Sequence, residues 1–266
     1  MIGAIVGDIV GSRFEFDETP QRDFLFFCDA PRCDYTDDSV MTVAIADAIL
    51  HGRDYGVSMR DWGHRYPNPK GAYGNYFHQW LTDPDKPANH SCGNGAAMRV
   101  SAIGWLFDDY EEVKRQARLS AIASHNHPEA IRGAQCVAAL IYELRTCHIS
   151  REETRKWVKR HFGYDLPPMK DIMKIGSEGH FDGICQETVP WAIRCFVESN
   201  SFEQAIRLAV MTRGDTDTKA AICGSIAEAY YKIPSNIIDK ALSYLPSDMI
   251  DVLMEVADRL KQRMSE

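Results

Sequence analysis

Two stretches of this chain place paired carboxylates where a globular core should have none. Thr36-Asp37-Asp38-Ser39 stands directly before residues 39–50, SVMTVAIADAIL, which are apolar or small nearly all round. Arg213-Gly214-Asp215-Thr216-Asp217-Thr218 stands directly before residues 218–231, TKAAICGSIAEAYY, of the same character. Either motif alone reads as an N-cap, because Asp, Ser and Thr accept hydrogen bonds from the free N–H groups of a first helical turn. Capping needs one side chain per helix, however, and here each helix start carries a pair of acids flanked by hydroxyls. Paired carboxylates repel one another and stay in solvent unless a cation neutralises them. Two such clusters, each heading a buried helix, point to one shared cation site. Carboxylate and hydroxyl oxygens with no His or Cys favour Mg²⁺, Mn²⁺ or Ca²⁺ over Zn²⁺. Asp37, Asp38, Asp215 and Asp217 could hold two divalent ions, the arrangement that typically sets the metals ~3.5–4 Å apart.

Other motif readings fail on the letters. An EF-hand loop opening at Asp215 needs an oxygen ligand at its fifth position and Glu at its twelfth, where Lys219 and Ile226 stand. A phosphatase-type Asp-x-Asp ends a hydrophobic strand, whereas residues 202–214, FEQAIRLAVMTRG, carry helical spacing. Residues 91–99, Ser-Cys-Gly-Asn-Gly-Ala-Ala-Met-Arg, are either a plain turn or a phosphate cradle in which glycines open a helix over residues 94–107. Ser124-His125-Asn126-His127-Pro128 holds histidines that are structural or substrate-facing; zinc lacks a third ligand at suitable local spacing, and Pro128 suits the first turn of the next helix.

The elements that must position these residues are helices almost throughout. Besides the two buried helices, residues 128–145 repeat Ile131, Ala134, Ala138, Ile141 and Arg145 at helical spacing. A last amphipathic helix is expected with Ser247 as its cap, Ile250, Leu253, Ala257 and Leu260 on one face, and basic residues at its end. Gly3, Gly7 and Gly11 recur every four residues on a short apolar helix, a flat stripe for close packing or for approach to a ligand. Between Gly63 and Gly95 the chain is rich in Pro, Asn, His, Gly and aromatics, the composition of a binding loop or lid. Only residues 24–28 look strand-like. The expected fold class is all-α, a compact multi-helix bundle, and with no repeat, linker or low-complexity tract one domain over 1–266 is expected.

Composition bounds the rest. Apolar residues at 45%, charged residues at 26% and a net charge of −8 suit a soluble globular protein and argue against a nucleic-acid or anionic-membrane surface. The eight cysteines form no C-x-x-C pair, which suits reduced thiols in a cytoplasmic protein. The apolar start has no basic region and is interrupted by Asp8, so it does not read as a signal peptide. No stretch approaches the ~18 uninterrupted apolar residues of a membrane span.

Taken together and in order, these motifs resemble those of the ADP-ribosylglycohydrolase family. Residues 7–16, Gly-Asp-Ile-Val-Gly-Ser-Arg-Phe-Glu-Phe, look like the family's opening helix with its downstream glutamate. The 36–39 and 214–218 motifs look like its two metal motifs, 93–99 like its phosphate loop, and Ser124-His125 like a motif that faces the ligand. The resemblance implies an all-helical fold with two Mg²⁺ or Mn²⁺ ions at the base of an ADP-ribose cleft. It implies Thr36, Asp37, Asp38, Asp215, Asp217 and Thr218 as metal ligands, Gly93, Asn94, Gly95 and Ala96 around the diphosphate, and His125 against the ligand. Glu15 falls where the family keeps a glutamate beside the scissile ribose, and Asp8 would order the metal shell from behind.

The implied reaction is hydrolysis of the ribose C1″ bond between ADP-ribose and an acceptor, through an oxocarbenium-like transition state. Asp37 or Asp38 would orient the water or take its proton; Glu15 would position the ribose or assist the leaving group. The substrate is expected to be an ADP-ribosylated protein or a small ADP-ribose conjugate. An arginine linkage comes first by likeness to the dinitrogenase reductase-activating members, with serine-linked and O-acetyl-ADP-ribose as alternatives. A non-catalytic ADP-ribose binder and a metal-dependent phosphoester hydrolase are the rival readings. Two departures from the family pattern stand out: Arg213 where many relatives have glycine, and Lys219 where they are apolar. A monomer is expected, since no apolar helix face is left over.

Overall fold

In a computed structural model of the protein, which describes residues 1–16 and 18–263, the architecture is all-helical. The helices run α1 (Ile2–Gly11), α2 (Asp37–His51), α3 (Tyr55–Arg65), α4 (Asn75–Thr82), α5 (Gly95–Met98), α6 (Ser101–Leu106), α7 (Tyr110–Ile122) and α8 (Pro128–Thr146). They continue as α9 (Arg151–Phe162), α10 (Met169–Ser177), α11 (Cys185–Glu198), α12 (Phe202–Met211), α13 (Thr216–Glu228), α14 (Ser235–Leu242) and α15 (Ser247–Arg263). Among the described residues β-structure is confined to isolated bridges, and residues 24–28 form none. No described helix is long and apolar enough to cross a membrane.

The local signals that start and stop these helices are ordinary. Thr36 caps α2 by accepting the Asp38 N–H, and Gly52 ends it in the left-handed region. Pro128 opens α8, and Ser150 with Glu153 forms a complete capping box on α9. At the centre α1 lies on α13, which is also covered by α11 and α12, while α2 is packed by α3, α6 and α15. The glycine stripe explains the central pair. A Cβ at Gly3 would sit 2.2 Å from the Gly224 carbonyl oxygen, at Gly7 2.0 Å from that of Ala220, and at Gly11 2.5 Å from the Asp217 Cα. Backbone therefore meets backbone along the whole contact, and the start of α13 is pressed against the end of α1.

Two expected elements differ in detail. Residues 94–107 are two helices, because the backbone leaves helical geometry at Arg99 and Val100, where the Arg99 side chain turns into the interior. The last helix buries Met249, Val252, Leu253 and Val256, with Ile250 and Leu260 half-buried and Ala257 exposed; Ser247 is its first residue rather than its cap. The period is right but the buried face is displaced, since α2 and α6 fix which side of α15 is covered.

Candidate active site

The floor of the site is built where α1, α2 and α13 converge. Asp8 is fully buried in α1, yet its carboxylate is saturated with donors from the turn that opens α2. It accepts the Thr36 N–H and the Ser39 N–H at 3.0 Å each, the Thr36 hydroxyl at 2.7 Å, and a short bond from the Ser39 hydroxyl. Burial nevertheless outweighs these bonds and pushes Asp8 up to about 6. Asp8 thus holds the first acidic motif from behind. On the opposite side Thr216 donates its hydroxyl to the Gly11 carbonyl at 2.9 Å, so the same short helix anchors the second motif.

The two motifs meet across this floor. The Thr218 hydroxyl donates to Asp38 Oδ2 at 2.9 Å, and Asp37, Asp215, Asp217 and Thr218 line one cavity of about 340 Å³. Carboxylate oxygens of Glu15, Asp215 and Asp217 lie within 4.8 Å of one another. Burial, then the neighbouring like charges, pushes Asp37 up to about 8 and Glu15 to about 11, and drives Asp38 and Asp215 well above the usual carboxylate range. Asp38 Oδ1, Asp215 Oδ1 and Asp217 Oδ1 are buried and accept no hydrogen bond from any described residue. Clustered acids with orphaned oxygens cost free energy unless protons or a cation compensate them. The all-oxygen donor set is the one hard divalent cations take, so these residues fit such a cation.

One wall of the cavity is the loop before α5. The N–H groups of Gly93 and Asn94 are already used, by the Ser91 hydroxyl at 3.0 Å and the Gly183 carbonyl at 3.1 Å. Those of Gly95 and Ala96, at the start of a helix, have no carbonyl a turn behind them. The Asn94 amide donates to Asp215 Oδ2 at 2.7 Å and to the Thr188 hydroxyl at 3.1 Å, which ties this wall to the floor. Beneath the loop, His125 is held by the Ser124 hydroxyl, 2.8 Å from Nδ1. Arg99 Nη2 donates to that same hydroxyl oxygen at 2.8 Å, so the Ser124 proton is best directed at Nδ1 and the ring proton belongs on Nε2. Burial, reinforced by Arg99, lowers His125 to about 3, so it serves as a neutral hydrogen-bonding imidazole.

Of the residues singled out from the sequence, Glu15, Asp37, Asp215, Asp217, Thr218, Gly93, Asn94, Gly95 and His125 all line this cavity. Thr36, Asp38 and Ala96 lie behind it; the Thr36 hydroxyl is engaged with Asp8 and the Asp38 N–H. The structure also brings in groups that sequence reading passed over. Tyr73, Tyr76 and Phe77, from the irregular 63–95 segment, supply an aromatic wall, with the Phe77 ring 6.0 Å from that of His125. Arg99 is fully buried at the end of α5, with Nε and Nη1 unpartnered among the described residues; burial lowers it to about 9. Asp182 takes the Asp215 N–H at 3.1 Å and both carboxylate oxygens lie 2.8 Å from the Lys219 ammonium, which also donates to the Arg213 carbonyl at 2.7 Å. Lys219 is thereby a fully buried cation under the second acidic loop. A charged residue in an otherwise apolar helix was the signal for Lys219; nothing in the letters around Asp182 marks it as its partner.

Comparison with known proteins gives the chain its family. The ADP-ribosylglycohydrolase family model matches residues 1–266. The chain is 25% identical to the ADP-ribosylhydrolase ARH3 of Homo sapiens over 328 aligned positions, covering 94% of this chain and 90% of that one. It is 26% identical to the ADP-ribosyl-[dinitrogen reductase] glycohydrolase of Rhodospirillum rubrum over 176 positions, 62% of this chain and 55% of that one. A solved structure titled ADP-ribosylglycohydrolase-related protein complex superposes with a TM-score of 0.71 over 97% of both chains at 23% identity, which establishes the shared all-helical fold. The chain belongs to the ADP-ribosylglycohydrolase family.

Proposed function

We propose that this member of the ADP-ribosylglycohydrolase family, acting as one domain over residues 1–266, hydrolyses the bond between C1″ of ADP-ribose and an acceptor and releases ADP-ribose. The observation that carries this reading is convergence. Short motifs spread from residue 15 to residue 218 line one cavity, with acids on its floor and a glycine loop and a neutral histidine on its wall. That division suits a ligand with a diphosphate at one end and a hydroxyl-bearing sugar at the other.

Asp37, Asp38, Asp215, Asp217, Thr36 and Thr218 would hold one or two Mg²⁺ or Mn²⁺ ions. A divalent ion bound there supplies positive charge for ribose hydroxyls and lowers the pKa of a water. The remaining work falls to the chain. The Gly95 and Ala96 N–H groups and His125 Nε2 bind and orient the diphosphate, and Asn94 keeps Asp215 in register with that loop. Asp37, which faces the cavity, takes the proton of the attacking water as the C1″ bond breaks. Glu15, half-buried beside Asp215 and Asp217, positions the ribose and meets the leaving group. The non-catalytic reading is disfavoured because every acid of both motifs is kept.

Likeness to the Rhodospirillum enzyme puts arginine first among acceptors. The half-buried cation Arg213, beyond Glu15, favours the serine or O-acetyl class instead. The test is release of free ADP-ribose from matched arginine-linked and serine-linked peptides with Mg²⁺, Mn²⁺ or EDTA. Metal-dependent release from one peptide is expected. Release that is insensitive to EDTA overturns the metal assignment, and cleavage at the diphosphate overturns the glycosidase reading.

A further inference from the structure

A second concavity, a groove of about 290 Å³, adjoins the cavity and shares Glu15, Phe16 and Phe181 with it. The Phe16 and Phe181 rings stack at 5.9 Å with an interplanar angle of 7°, and they form the partition between the two. On the proposed function, ADP-ribose fills the first concavity with C1″ near Glu15, so whatever is attached to C1″ must leave past Glu15. The groove is the concavity on that side.

Among the described residues its charge is unbalanced in one direction. Glu18 is neutralised by Arg32, whose Nε and Nη2 lie 2.8 and 2.6 Å from its Oε1. His180 Nε2 is 2.8 Å from the Glu187 carboxylate, and Glu15 is turned toward Asp215 and Asp217. Arg213 also lines the groove, and its guanidinium makes no hydrogen bond or ion pair with any described residue.

The backbone under Arg213 is held at a cost. Its φ is +59°, in the left-handed region, followed by Gly214 at +73°. A non-glycine residue there is strained where glycine is not. Three contacts enforce the conformation. The buried Lys219 ammonium donates to the Arg213 carbonyl and to the Asp182 carboxylate, and Asp182 accepts the next-but-one N–H, that of Asp215. On the other side α10 presses against the preceding residue, where a Cβ on Gly176 would lie 1.9 Å from the Thr212 carbonyl oxygen. A site that glycine would fill without strain instead presents a cation to the groove.

We propose that Arg213 is the acceptor-side specificity residue: it pairs with a carboxylate next to the ADP-ribosylated residue of a peptide and disfavours an arginine linkage. A guanidinium matches a carboxylate bidentately and repels another guanidinium. A peptide suits the groove better than a nucleic acid, because one cation on a chain of net charge −8 can pair a single carboxylate but cannot track a phosphate backbone.

The test rests on the proposed function but is separable from it. Three peptides are compared: serine-linked ADP-ribose with a neighbouring Glu, the same with a neighbouring Lys, and an arginine-linked one. For wild type, Arg213→Gly and Arg213→Glu, kcat/KM is measured with Mg²⁺, and the affinity of each intact peptide is measured against free ADP-ribose as reference. Arg213→Gly suits the backbone and guards against misfolding. Wild type is expected to favour the Glu peptide over the Lys peptide by about twofold to fivefold, the worth of one partly exposed charged pair. The ratio should fall toward one in Arg213→Gly and invert in Arg213→Glu. An equal ratio in all three proteins, or an arginine-linked peptide as the best substrate of wild type, overturns the proposal. If no peptide is cleaved, the hydrolase reading fails, and the affinity ratios still decide the role of Arg213.

Discussion

The floor of the site and its rim are built by opposite means. On the floor, Asp8, Asp38, Asp215 and Asp217 are buried, where α1 and α13 touch backbone to backbone through Gly3, Gly7 and Gly11 and the start of α2 is tied to Asp8 by hydrogen bonds. At the rim, Phe16, Tyr76 and Phe181 stand 68, 68 and 46% exposed, two of them on connecting segments and Tyr76 in the first turn of α4. The floor has one arrangement open to it, because moving the second acidic motif would part α13 from α1 and moving the first would strip Asp8 of its donors. The rim can change its side chains without disturbing any of that packing. Chemistry that needs fixed charges is thus placed where the backbone is over-determined, and recognition of a variable acceptor is placed where it is not.

The sharpest way to break this contrast is to add one methyl group to the floor. In Gly7→Ala the new Cβ would fall 2.0 Å from the Ala220 carbonyl oxygen, backbone that cannot swing aside as a side chain could. We expect destabilisation of about 3 kcal/mol or more, at the upper end for overpacking in a core. For a chain of this size that is a fall in Tm on the order of 6–12 °C. Activity should fall with it, since α13 carries Asp217 and Thr218. Calorimetric melting of wild type and variant decides it, and an unchanged Tm would show that α1 and α13 are not locked.

The next effect is large in function but reversed in stability. Asp217→Asn keeps the shape and removes one buried charge, so metal affinity and hydrolysis should be lost while the helical far-UV spectrum persists. An Asp217→Asn variant that is active without metal would sink the cation site. The metal-free wild type should also show a distinct pH dependence. Asp8, Asp37 and Asp217 are pushed up to about 6, 8 and 6 from an ordinary 3.8, chiefly by burial. Between the ordinary and the raised values the folded chain holds protons that the unfolded chain has lost. Stability in EDTA should therefore be fullest near pH 4 and fall as pH rises toward 8. Saturating Mg²⁺ should offset the loss, and Asp217→Asn should flatten it. Melting curves at pH 5 and pH 8, with and without Mg²⁺, measure both effects.

What could be read from the letters follows the same division. The acids of the floor were legible because a carboxylate pair heading an apolar helix contradicts its surroundings, and so was the glycine stripe, which weakens a helix unless something packs on it. The aromatic wall was not legible residue by residue: Tyr73, Tyr76 and Phe77 sit in a segment whose composition marks a binding loop without saying which ring faces inward. Arg99 and Asp182 were missed for a different reason. Each works through a partner far along the chain, Ser124 for one and Lys219 for the other, and no local pattern joins such pairs. The inward turn of Arg99 also broke the helix expected over 94–107, since an interior hydrogen-bonding site overrode local propensity.

The smallest expected change in stability lies at the rim, and it is the one that isolates recognition. Phe181→Ala removes one ring of an exposed stack whose rings lie 5.9 Å apart, worth about 0.5–1 kcal/mol, so Tm should move by no more than about 1–4 °C. The same ring is shared by the ADP-ribose cavity and the groove beyond Glu15, so its loss opens one into the other. KM for ADP-ribosylated peptides should then rise by more than the affinity for free ADP-ribose falls, because only the peptides span the partition. If Phe181→Ala instead lowers Tm as far as Gly7→Ala does, the rim is part of the locked framework. In that case the separation of fixed chemistry from adjustable recognition does not hold for this molecule.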